Sequence, residues 1–134
     1  MLKNAQIVID QFNAKGFTFD AKEVGEGDVI LKFPYNGMVA TLLFSGDDGK
    51  YLTVFFQLDS APQGKEVDVI VACNTMNSMF KWLKFYLDKN NNIIAQDDAI
   101  LDSDSAFDET MELMLRAFSI IKDVKPTLMR TLYA

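Results

Sequence analysis

Apolar residues recur along this chain with two different periods, and each change of period marks a boundary. Leu2, Ala5, Ile9 and Phe12 fall at helical spacing, with Lys3, Asn4, Asp10 and Asn13 off that stripe and Gly16 where a helix would stop. The spacing predicts a helix over Leu2–Lys15. Phe17–Glu26 reads as a Gly-punctuated connection, with Thr18–Asp20 at most a stub of strand and Gly25-Glu26-Gly27 as a turn. From Asp28 the period is two. Val29, Leu31 and Phe33 alternate with Asp28, Ile30 and Lys32 until Pro34, and Tyr35-Asn36-Gly37 supplies a tight turn. Met38, Ala40, Leu42 and Phe44 line one side of a second strand. After Ser45-Gly46-Asp47-Asp48-Gly49, a third strand runs over Lys50–Asp59 with Leu52, Val54, Phe56 and Leu58 on one side. Three strands joined by short turns make an antiparallel meander.

The second half begins with a helix over Lys65–Ser78, with Val67, Ile70, Val71, Asn74 and Met76 near a common face and an acidic first turn of Glu66 and Asp68. Two β-prone runs, Met79–Leu87 and Ile93–Leu101, then flank Asp88-Lys89-Asn90-Asn91-Asn92, whose residues tolerate turn conformations. That predicts a β-hairpin. Ser105 stands as an N-cap, and Phe107, Met111, Met114, Phe118 and Ile121 recur at spacings of four and three. A second row, Leu113, Ala117, Ile120 and Val124, widens the apolar arc to roughly 220°, so this helix should touch two neighbours. A kink or fresh start is expected at Lys125-Pro126. The order is α-β-β-β-α-β-β-α: an α+β fold with an antiparallel five-stranded sheet packed by helices.

At 134 residues the chain is sized for one domain, 1–134, with a core that needs no disulfide or structural metal. Nearly half its residues are apolar and a quarter charged, a globular composition. The net charge of -6, with lysines scattered, argues against nucleic acid as a partner. No run is long enough to cross a bilayer and no signal sequence opens the chain, so no membrane association and a cytoplasmic location are expected. The absence of histidine removes the commonest general base, the commonest metal ligand and every histidine-activated nucleophile. Cys73 sits in an apolar run and reads as a buried thiol.

The candidate chemistry is thin. Asp88–Asn92 imitates the start of a calcium loop, but Ile93 stands where glycine is required and Ala99 where a bidentate carboxylate should close the shell. Asp97 and Asp98, adjacent on a strand, point to opposite faces and should serve at solvated edges or caps, with Asp102, Asp104 and Asp108 nearby. A hydrolase built on these aspartates would need several of them to converge. No catalytic residue, cofactor or metal is expected. The aromatic pattern says more. If one sheet face covers the helices, Ile30, Val39, Leu43, Tyr51, Phe55, Trp82 and Tyr86 lie on the reverse face, an apolar patch larger than a monomer normally exposes.

The helix end at Asn74 and Asn77 running into MFKWLKFYLD, the hairpin, the polar DDAIL exit and the apolar C-terminal helix resemble the YbjN-like domains, which in turn are similar in fold to the class I chaperones of bacterial type III secretion. The resemblance implies a small, acidic bacterial domain, commonly dimeric, that binds polypeptide and is not known for an enzymatic reaction. It carries no site residues with it. The expectation is therefore a non-enzymatic protein-binding domain, homodimeric, with a polypeptide client. Its candidate interaction surface is Tyr51, Phe55, Trp82, Tyr86, Met111, Met114 and Phe118. The alternative is a sensor that encloses a small apolar ligand between sheet and helices, with Trp82, Phe85 and Met114 as its lining.

Overall fold

Strands and helices follow one another as α1 (Lys3–Ala14), β1 (Asp20–Val24), β2 (Asp28–Tyr35), β3 (Met38–Ser45), β4 (Tyr51–Ser60), α2 (Glu66–Met79), β5 (Lys84–Leu87), β6 (Asn92–Ile100) and α3 (Ala106–Tyr133) in the computed structural model, which describes residues 1–133. The strands form one sheet in the order β1-β2-β3-β4-β6-β5. The fold is α+β, but the sheet has six strands where five were expected. The extra strand is β1, which pairs antiparallel with β2 from Asp20 opposite Lys32 to Val24 opposite Asp28. Asp20, Ala21, Lys22 and Glu23 are all exposed, so β1 buries no apolar face and leaves no period-two signature. Its backbone ladder is joined only by the half-buried Val24 and by an exposed ion pair of Glu23 with the N-terminal ammonium of Met1 at 3.5 Å. Gly25 and Gly27, both at positive φ, make the turn into β2.

The chain separates into two compact units, one of Met1–Phe55 with Asp98–Met114, the other of Phe56–Asp97 with 115–133. In the first, Val29, Leu31, Phe33, Ala40, Leu42, Phe44, Leu52 and Val54 are buried at alternate positions, the faces expected. The Phe12 ring of α1 meets Phe33 at 5.0 Å, Phe19 at 5.3 Å and Phe107 at 5.9 Å between centroids, so α1 and the start of α3 lie on this side of the strands. The buried rings of Phe12 and Phe33 each contribute about 1.5–3 kcal/mol by burial. Asn4 is buried with them. Its amide donates to the Gly49 carbonyl (3.2 Å) and its oxygen accepts from the Ser103 hydroxyl (2.7 Å), tying the start of α1 to the turn before β4 and the turn before α3 without an orphaned polar group.

In the second unit the hairpin is present, with Phe85 opposite Ala95 and Leu87 opposite Ile93. β5 is much shorter than the expected Met79–Leu87, because α2 continues to Met79 and residues 80–83 form a bend. Phe56 meets Phe118 of α3 edge-on at 5.1 Å. Val69, Cys73 and Met76 are the buried positions of α2, whereas Val67, Ile70 and Val71 of the expected common face are exposed, as is Asn74. The apolar residues of α2 are spread over several of its sides, so periodicity alone could not choose its buried side. α3 runs through Pro126 as one helix, so of the expected kink or fresh start the fresh start is absent. Val124, Leu128 and Leu132 are buried on either side of it, and their packing outweighs the hydrogen bond that proline cannot donate to the Lys122 carbonyl.

Candidate functional site

In the first unit, strand register decides which side chains gather on the face away from Phe12. Ile30 lies opposite Leu43, Leu43 opposite Thr53, Thr41 opposite Phe55, Pro34 opposite Val39 and Ser45 opposite Tyr51. Because side chains alternate, Ile30, Val39, Leu43, Tyr51 and Phe55 share that face. Val39 and Tyr51 are each 47% exposed, and Ile30, Leu43 and Phe55 are half-buried. Gly46, at φ +75°, lies under the Tyr51 ring so closely that a Cβ there would sit 2.5 Å from it. The Lys50 ammonium stands 5.1 Å from the centre of the same ring. Tyr51 is thus held in place on an apolar surface framed by Lys22 and Lys32.

Of the seven residues expected at an interaction surface, Tyr51 and Phe55 lie on this face. Met111 is half-buried and Met114 is interior, 1% exposed. In the second unit, Tyr86 is exposed on β5, and its hydroxyl donates to Gln96 Oε1 at 2.6 Å. Phe118 is interior, against Phe56. The bend before β5 carries Trp82 to the Arg116 guanidinium on α3.

That bend is a tight one. Leu83 N–H donates to the Lys81 carbonyl (2.9 Å) around Trp82, whose φ is +76°, a γ-turn that a bulky residue adopts at a cost of about 1–3 kcal/mol. The Arg116 guanidinium lies 4.7 Å from the centre of the indole, and its Nη2 donates to Asp97 Oδ2 at 3.2 Å. Trp82 remains 66% exposed. Asp97 is buried, not the solvated edge residue expected, and it anchors the arginine that anchors the tryptophan. Asp98 does point the other way, accepting from the Thr53 hydroxyl at 2.7 Å. Arg116 was not singled out from sequence. A lone arginine in an apolar helix face, with an aspartate on a nearby strand, was the available signal.

The outer edge of β5 is closed by a side chain. Asn77 Oδ1 accepts from Phe85 N–H (2.6 Å) and its amide donates to the Phe85 carbonyl (3.0 Å), imitating a neighbouring strand. The Asp88 carboxylate similarly serves its own turn, accepting from the Asn90 and Asn92 amides at 2.9 and 2.8 Å. Those bonds, that of Asn92 first, hold its pKa below the ordinary value. This is the hairpin turn expected, with the carboxylate spent on backbone. Burial pushes the Cys73 thiol up. Asp102 caps the turn before α3 by accepting from Asp104 N–H. Among the described residues no three acidic or cysteine side chains gather as a metal site, and no helix is long and apolar enough to cross a membrane.

Between α2 and the C-terminal part of α3, both in the second unit, runs a groove of about 500 Å³. Val71, Ala72, Met76, Met79 and Phe80 form one wall and Val124 part of the other, with Asp68, Asp123 and Thr127 among the polar lining. Trp82, Phe85 and Met114 do not line it. The exposed apolar residues of α2 were its available signal.

A family model named YbjN and described as "Putative bacterial sensory transduction regulator" matches residues 4–123. Among solved structures, "Crystal structure of YbjN, a putative transcription regulator from E. coli" matches with a TM-score of 0.63 over 95% of each chain, at 10% sequence identity. No curated protein matches.

Proposed function

The chain belongs to the YbjN family, and on that premise we propose that it is a non-enzymatic regulatory domain that acts by binding a second polypeptide, first of all another copy of itself. The observation that carries this reading is the apolar face of the first unit, where Ile30, Val39, Leu43, Tyr51 and Phe55 stand on the side of the strands opposite Phe12. A polar-rimmed apolar surface of this kind loses water favourably against a matching surface. Chaperone-like handling of an extended client is the finer form of the same proposal, resting on the resemblance to secretion chaperones. With Asn77 occupying the β5 edge, a client strand would add at β1. Chromatography with light scattering tests the proposal. A mass twice the 15.1 kDa of one chain at high micromolar concentration, reduced to one chain by Val39→Lys with Tyr51→Lys, is expected. A strict monomer contradicts it.

A second reading, ligand sensing, is favoured by the α2/α3 groove. Its volume lies within the range of about 300–1,000 Å³ usual for small-molecule sites.

A further inference from the structure

The two outermost strands of the sheet end differently. On β5, Asn77 occupies both backbone groups of Phe85. On β1, Asp20, Ala21, Lys22 and Glu23 are exposed, and among the described residues their backbone is bonded to β2 alone. Such an open edge is a template for another strand, and charged side chains along it decide which strand is repelled. Their order is therefore informative. Asp20 and Lys22 share the face of Ile30, and Ala21 between them points the other way. Asp20 lies opposite Lys32, yet among the described residues neither Asp20 nor Lys22 has an ion pair or a side-chain hydrogen bond. Glu23, on the face of Ala21, is already paired with the N-terminal ammonium.

We propose that the open edge takes the β1 strand of a second copy, antiparallel and centred on Ala21. A two-fold axis there sets each Ala21 opposite its counterpart, and Asp20 of each copy opposite Lys22 of the other. Both pairs are opposite in sign, and each Asp20 then stands between that lysine and Lys32 of its own chain. Centring the pair on Lys22 instead would oppose two lysines, and centring it on Asp20 would oppose two aspartates. The charges thus select one register. A ladder of five residues a side covers far less than the roughly 1,000 Å² of a stable interface, so it does not hold two chains on its own. It goes beyond the apolar-face contact of the proposed function and links copies already paired there, and the two contacts are tested apart.

Disulfide trapping with Ala21→Cys tests the register. Opposed residues of antiparallel strands lie about 4.5–5.5 Å apart at Cα, within disulfide reach, whereas Glu23 would lie about 13 Å along the strand from its counterpart. Both positions are exposed, and the native Cys73 is buried. With diamide as oxidant, and rates corrected for each thiol's alkylation by iodoacetamide, Ala21→Cys should give linked dimers about tenfold faster than Glu23→Cys. Adding Asp20→Lys should slow the Ala21→Cys dimer about tenfold at low salt, because both cross-strand pairs become lysine on lysine. Adding Lys22→Asp as well should restore the rate, since the exchanged pairs are again opposite in sign. Equal rates for Ala21→Cys and Glu23→Cys, or a rate indifferent to Asp20→Lys, would overturn the proposal and leave the apolar-face reading to its own measurement.

Discussion

Asn77 shows how much one side chain carries. Its amide satisfies both backbone groups of Phe85, so Asn77→Ala should cost about 1–3 kcal/mol in urea unfolding, with Asn77→Asp no better because it cannot donate to the carbonyl. Arg116→Ala should cost a similar amount, about 1–3 kcal/mol, since it strips the guanidinium from the buried Asp97. It should also change the emission of Trp82, the sole tryptophan, by uncovering its ring. An unchanged spectrum would contradict the stacked arrangement. Asp88 carries a pH signature. Its folded pKa is depressed, so its contribution is present above the ordinary aspartate range and is lost as pH falls through the folded value. Acid titration of stability should be shallower in Asp88→Asn than in the parent at pH values below that ordinary range. The Asp88 turn was legible in sequence because its oxygens and asparagines are turn residues wherever they occur. The Asp97–Arg116–Trp82 chain was not, because it joins residues from a strand, a helix and a bend whose meeting no local pattern encodes.

At the scale of elements, legibility followed amphipathicity. β2, β3 and β4 each bury alternate residues, and the expected faces are the observed ones. β1 buries none, so only pairing to β2 defines it. α2 has apolar residues on several sides, and of its expected face only Met76 is buried while Val67, Ile70, Val71 and Asn74 are exposed. The local penalty of Pro126 predicted a kink or a fresh start, and with Leu128 and Leu132 buried beyond it the helix makes no fresh start. Pro126→Ala should therefore stabilise the protein by about 1–3 kcal/mol, by restoring the bond to the Lys122 carbonyl at an exposed site where no packing is lost. A loss of stability in urea unfolding would show that the proline is needed there.

For the molecule as a whole, the expected interaction surface divides by burial and position. Tyr51 and Phe55 sit on open sheet, Met114 and Phe118 went into the interior, and Trp82 was drawn to Arg116. Strand alternation predicted the first pair; the others depended on how far β5 extends and where α3 turns its wide apolar arc. What remains is a surface on which Val39 and Tyr51 are nearly half exposed and Ile30, Leu43 and Phe55 are half-buried, and its occupation by a second polypeptide is the central proposal. Hydroxyl-radical footprinting across protein concentration tests it most directly. Labelling of Tyr51 and Phe55 should fall as concentration rises while Trp82 and Tyr133 keep their reactivity; unchanged labelling of Tyr51 and Phe55 up to high micromolar concentration would contradict it.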